Sequence, residues 1–161
     1  MSLRLRHVLS RSGPLSRGLT AVELMLTLGI VAVLVVIALQ VYQGWQDKAR
    51  TQTAQADIIE LSLLIDDVFA DTGQLPDSLA DIGKAGHRDP WGGAYVYVNL
   101  MTAKGHGKAR KDKSLVPLNS DYDLYSKGPD GASATPLTAK SSRDDILRAN
   151  NGRFVGPASQ Y

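Results

Sequence analysis

The chain has no cysteine. A disulfide framework, a thiolate metal site and a cysteine nucleophile are therefore excluded. Histidine is nearly as scarce: His7, His87 and His106 are the three in 161 residues. His7 lies in a basic N-terminal segment. The other two fall in glycine-bearing loops expected to be exposed, at no spacing that suggests a zinc pair. Serine, histidine and aspartate all occur, but no nucleophile elbow does. Gly105 and Gly107 flank His106 without a following helix, so a phosphate-binding loop is not supported. The sequence therefore reads as a protein that is not an enzyme.

Acidic residues are absent before Glu23, where Arg4, Arg6, Arg11 and Arg17 are found. These four are the leader's share of 18 basic residues, and none of the 16 acidic ones lies there. The rest of the chain carries 14 basic against 16 acidic side chains, a net charge of −2. The basicity is thus confined to the leader, and the remainder lacks the basic surface that nucleic acid requires.

Polar residues are missing from the stretch after the leader. From Leu24 to Leu39 only Thr27 is polar, and extension to Leu19 and Tyr42 adds Thr20, Glu23 and Gln40. A helix of that length spans the roughly 30 Å hydrocarbon layer of a bilayer. The positive-inside rule places the arginine-bearing leader in the cytoplasm and the remainder across the membrane. Glu23 stands at the N-terminal end of this run, where an ionisable group is costly and marks a functional position. An ordinary secretory signal fits less well, because the run is long for such a segment and no small-x-small cleavage site follows it.

No breaker ends the apolar run. Helix formers continue from Gln43 to Asp71, and Ala54, Ile58, Leu61, Ile65 and Val68 recur at spacings of 4, 3, 4 and 3. That recurrence marks one helical face, which reads as core. Gly73 is placed to cap the helix and Pro76 to prevent its continuation. A single helix from about Thr20 to Asp71 is predicted, roughly 75–80 Å long at 1.5 Å per residue. Ser78–Ile82 reads as a short turn of helix. Asp89-Pro90-Trp91-Gly92-Gly93 is a turn cluster, and Ala94–Leu100 alternates as a half-buried strand does. Lys104–Lys113 reads as a solvated basic loop. Leu115–Leu118 and Tyr122–Tyr125 are predicted strands, and Asp144–Gly152 a short helix. The fold class is α+β, a long N-terminal helix packed on a small antiparallel sheet.

Gly18, the apolar run and Glu23 five residues past the glycine resemble the class III signal of type IV pilins and pseudopilins. The resemblance implies cleavage by a prepilin peptidase between Gly18 and Leu19, methylation of the new terminus, and Glu23 at the fifth mature position. It also implies pairing of Glu23 with the Leu19 amine of the adjacent subunit. It divides the chain into a cleaved leader (1–18), a transmembrane helix that becomes filament core (19–42) and a periplasmic pilin-like domain (43–161). That domain comprises an amphipathic helix at 43–71, a sheet at about 94–126 and a C-terminal loop at 127–161.

Asp89-Pro90-Trp91-Gly92, a strand, Tyr122 to Gly131 and then Asp144-Asp145-Ile146 resemble the major pseudopilin of the type II secretion system. Many true type IV pilins close a C-terminal loop with a disulfide, which this chain cannot form. The major-pseudopilin branch binds calcium there instead, and the resemblance implies Asp130, Asp144, Asp145 and the carbonyl of Lys127 as ligands. Hard Ca²⁺ suits such carboxylate and carbonyl oxygens. Against it stand local roles: Asp130-Gly131 as a turn, Asp144 as a helix cap, and Lys140 or Arg143 as a substitute for the metal. The partners implied are further copies of the chain, minor pseudopilins, the prepilin peptidase and an inner-membrane assembly platform. A type IV pilus subunit serving adhesion, motility or DNA uptake is the close alternative. A membrane-tethered binding module that never polymerises, using Lys104, Lys108, Arg110, Lys111 and Lys113, is the distant one.

Overall fold

The structure, a computed structural model, describes residues 18–103, 107, 109–113 and 117–161. The leader arginines, His7, Lys104, His106, Lys108 and Leu115 lie outside the described residues. The chain divides into two compact units, Met1–Tyr42 and Gln43–Tyr161. One helix, α1 (Ala21–Thr72), supplies residues to both.

In the first unit α1 begins with a reciprocal cap. The Thr20 backbone N–H donates to Glu23 Oε2 at 3.0 Å, and the Thr20 hydroxyl donates to the same oxygen at 2.9 Å. The Glu23 N–H in turn donates to Thr20 Oγ1 at 3.3 Å. This is the capping box, in which two N-terminal amides that have no partner inside the helix are satisfied by side chains. Beyond it the apolar side chains up to Tyr42 remain exposed. This part of α1 is long and apolar enough to cross a membrane.

In the second unit α1 buries the predicted stripe. Ala54, Ile58, Leu61 and Ile65 are at most 1% exposed, and Val68 is half-buried. Burying each of the large aliphatic side chains contributes about 1.5–3 kcal/mol. The helix stops where the sequence requires. Gly73 takes φ +72°, and its N–H donates to the Phe69 carbonyl at 2.8 Å. A left-handed glycine in this position closes the last turn without a Cβ clash.

Four strands follow: β1 (Val96–Asn99), β2 (Tyr122–Ser126), β3 (Ile146–Ala149) and β4 (Phe154–Pro157). They form an antiparallel meander in chain order. Both faces of the sheet are covered. Tyr95, Tyr122, Leu124 and Ile146 pack with the buried stripe of α1, and Leu75, Leu79, Trp91, Tyr97 and Val155 close the rim of that core. On the opposite face Leu147 and Ala149 pack with Leu118, Leu137 and Ala158, flanked by Tyr125 and Phe154. The loops around the sheet therefore build a second small core.

Three predicted elements differ from expectation. Asp144–Gly152 is not a helix: it holds β3 and the turn into β4. Asn150, Asn151 and Gly152 all have positive φ, at 53°, 54° and 84°. Three consecutive left-handed residues reverse the chain, so that Ala149 pairs with Phe154. All four residues of β3 are buried, which erased the alternation that would have revealed a strand. Ser78–Ile82 forms a tight turn, with the Ser78 N–H on Asp81 Oδ2 at 2.9 Å. Of the expected strand at Leu115–Leu118, the described residues Pro117 and Leu118 are not in a strand, and Leu118 packs into the second core.

Candidate functional site

Gly18, Leu19 and Glu23 lie together at the start of α1, and all three are exposed. Among the described residues, a Cβ placed on Gly18 would meet no atom within 4 Å. Glu23 already has a role within its own chain, accepting both Thr20 donors, and its carboxylate remains open to solvent.

The second candidate region is the loop after β2. Asp89 organises its near side. The Asp89 Oδ1 accepts from the backbone N–H groups of Trp91 (3.1 Å) and Gly93 (2.7 Å), and its Oδ2 accepts from the hydroxyl of Ser126. The Ser126 oxygen then accepts the Gly128 N–H at 3.0 Å. This chain of bonds ties the Asp-Pro-Trp-Gly turn to the end of β2. Gly128 has φ +66°, and a Cβ there would lie 2.3 Å from the Asp144 carbonyl oxygen. Only glycine lets the two segments approach so closely.

Of the three carboxylates expected to share calcium, Asp130 and Asp144 lie together and Asp145 is turned to Arg110. Asp130 is exposed, and its Oδ1 accepts the Ala132 N–H at 2.8 Å, the turn role. Asp144 Oδ2 accepts the Asp130 N–H at 3.3 Å. Asp130 and Asp144 line one cleft of about 520 Å³ together with Asp47, Trp91, Lys140 and Arg143. Lys127 and Asp130 line an adjoining hollow with Asp89 and Trp91. Asp145 is fully buried, and its Oδ2 accepts from Arg110 Nη2 at 2.6 Å and from the Ser133 hydroxyl at 2.6 Å. Among the described residues no group of three or more histidine, aspartate or glutamate side chains is arranged to hold a metal ion. Calcium requires at least six oxygen ligands converging on one point. In this arrangement Asp145 does not join Asp130 and Asp144, so the three expected carboxylates do not converge on one point.

Burial raises the Asp145 carboxyl above its ordinary pKa, opposed by the donors from Ser133 and Arg110. Burial likewise raises that of Asp123, whose oxygens accept from the Arg110 N–H (2.7 Å) and the Asn119 amide (2.8 Å). Arg110, read from sequence as part of a solvated basic loop, is 3% exposed, whereas Lys111 and Lys113 are exposed as expected. Lys140 and Arg143 make no ion pair among the described residues, so Arg110 is the cation at Asp145. No local signal marks it, because its carboxylate partner lies 35 residues along the chain.

On the other face of the sheet, Arg148 donates to both oxygens of Asp121, at 2.9 and 2.7 Å, and lies 4.0 Å from the centre of the Tyr122 ring. Burial is also the first cause that pushes the Tyr122 phenol up to about 12. His87 is not a freely solvated loop residue. Its ring stacks on Tyr95 at 5.5 Å, with Nε2 3.6 Å from Asp57 Oδ2. It is half-buried against Tyr95, a residue of the main core.

No family model matches this chain, and no solved structure matches it. Among curated proteins it is similar to the type II secretion system core protein G of Escherichia coli (strain K12). The two are 29% identical over 140 residues, covering 74% of this chain and 86% of the relative. That relative carries the name of a secretion-system component and not of an enzyme, in agreement with the absence of catalytic motifs. With the Gly18–Glu23 motif, the long apolar run at the start of α1 and the packing of its later part on a four-stranded antiparallel sheet, the relationship supports the resemblance to the type IV pilin and pseudopilin superfamily.

Proposed function

We propose that this chain is a structural subunit of a type II secretion pseudopilus. It is held in the inner membrane by the first part of α1, with the second unit in the periplasm. The prepilin peptidase removes the leader after Gly18, and the new terminus at Leu19 is methylated. Copies then polymerise with minor pseudopilins on an inner-membrane platform and drive folded proteins out. The observation that carries this reading is an exposed, bilayer-length apolar helix with one carboxylate, Glu23, in its first turn. The similarity to a secretion-system core protein supports it. So does the exposed glycine at position 18, five residues before Glu23.

Glu23 would pair with the Leu19 amine of an adjacent subunit, and a charge buried alone in a filament is costly. The capping box makes the test discriminating. Glu23→Gln keeps the two accepted bonds, since glutamine serves the box as well as glutamate, but removes the charge. Thr20→Ala breaks the box and keeps the charge. Both variants should insert in the membrane normally. Filament yield, measured by shearing and immunoblotting, should collapse for Glu23→Gln and persist for Thr20→Ala. Normal filaments from Glu23→Gln would sink the assembly role of the carboxylate.

A further inference from the structure

Arg110 knots together segments that are far apart in sequence. Its backbone N–H donates to Asp123 on β2 at 2.7 Å, and its carbonyl accepts from Leu118 at 2.8 Å. Its guanidinium lies over the Tyr125 ring, 4.3 Å from the centre, where the ring quadrupole attracts a cation. From there it donates to the Ser133 hydroxyl and to Asp145 Oδ2. Asp145 immediately precedes β3, and its own carbonyl accepts the Ala158 N–H at 2.8 Å. One side chain thus joins β2, the loop after it, the start of β3 and, through Asp145, the C-terminal turn.

We propose that the guanidinium of Arg110 occupies, in this chain, the role that the resemblance gives to calcium: it is the cation that closes the C-terminal loop, and the fold needs no divalent ion. Three observations support this. Asp145 Oδ2 already accepts two short hydrogen bonds. Asp145 Oδ1 and Arg110 Nε are both buried without a partner. Nε–H and Nη2–H form the edge of a guanidinium that matches the two oxygens of a carboxylate, and Nη2 is already bonded to Oδ2. A dication on Oδ1 would instead sit beside a guanidinium that never loses its charge, and the two would repel. Asp130 and Asp144, the other two expected ligands, are each engaged with loop amides. The substitution explains how a chain without cysteine keeps its C-terminal region in place. It concerns the folding of the second unit and holds whether or not the chain polymerises.

The test uses the full chain in detergent micelles, melted thermally with about 1 mM calcium chloride or with excess EGTA. A ligand that binds only the folded state must raise its stability. The two midpoints should therefore agree to within about 1 °C. A calcium-dependent rise of about 5 °C or more, abolished by Asp145→Asn, would overturn the proposal. Arg110→Ala strands a buried carboxylate and should lower the midpoint by on the order of 10 °C or more, or prevent folding. An unchanged midpoint in that variant would overturn the proposal as well. If Arg110→Ala does not fold, the calcium and EGTA arms on the unaltered chain still decide.

Discussion

Two arginines stack on two tyrosines on opposite faces of the same sheet, and they differ in where their carboxylates sit. Arg148, over Tyr122, is paired with Asp121, whose side chain is 29% exposed. Arg110, over Tyr125, is paired with Asp145, which is 0% exposed. The contacts are alike, but the consequence of losing one partner is not. Asp121 can return to water when its arginine is removed. Asp145 cannot, and neither can Arg110. A buried pair is thus a mutual obligation, whereas a half-buried pair binds only its buried member. The sheet face toward α1 has the larger apolar core, and the face toward the loops adds the obligation to its smaller one.

The largest effect is expected at the buried pair. Asp145→Leu leaves a guanidinium without its counter-charge and should cost about 3–5 kcal/mol. The double variant Arg110→Met/Asp145→Leu replaces the pair by apolar groups of similar bulk and should recover most of that loss. Equilibrium denaturation of the single and double variants measures both. A double variant as unstable as the single would show that the pair contributes more than mutual neutralisation.

A smaller effect is expected on the other face. Arg148→Met removes a two-pronged bond to Asp121 and a cation–ring contact, but the freed carboxylate reaches solvent. The cost should be about 1–2 kcal/mol, below that at Asp145. Equal losses at Arg148 and Asp145 would break the comparison, because the burial of the abandoned partner would then not govern the outcome.

The smallest effect belongs to a pair in which neither partner is buried. Lys84 Nζ lies 2.6 Å from Glu60 Oε1, and its hydrogen bond holds the Glu60 carboxyl below its ordinary value of 4.5. A lowered folded pKa gives stability that is present above 4.5 and is lost as the pH falls through the folded value. Lys84→Met should therefore slightly flatten the acid limb of the stability profile and leave neutral pH nearly unchanged. A melting series from pH 3 to 7 in both proteins, run at low salt, reads the difference.

The parts of this fold that were legible in the sequence are those set by local spacing. The stripe from Ala54 to Ile65 repeats with the helical period, and Gly73 supplies the left-handed cap. Both signals lie within a few residues of the feature they determine. The strand β3 was hidden for the opposite reason. Leucine, arginine and alanine favour helices, and burial on both faces removed the alternation that marks a half-buried strand. The missed clue was Asn150-Asn151-Gly152, a run rich in residues that tolerate positive φ and thus favour a chain reversal. The candidate loop was legible in its turns, Asp89 and Asp130, but not in its cation. Arg110 sits in a run of lysines that looks solvated, and only the tertiary fold brings it to Asp145.

The exposed apolar part of α1 has a further consequence. Lipid tails and neighbouring apolar helices are solvents of nearly equal quality for leucine and valine. Moving this helix from a bilayer into a bundle of its own kind therefore exchanges one oil for another, with little gain from the hydrophobic effect. The direction of that exchange must be decided by packing and by the few polar groups that distinguish the two environments. In this stretch those are Thr20, Glu23, Thr27 and Gln40. A helix built in this way can be stored in one medium and spent in the other without unfolding. In the assembly proposed above, reversibility would then be a property of the helix itself, and the transfer would need only a tip in a nearly level balance.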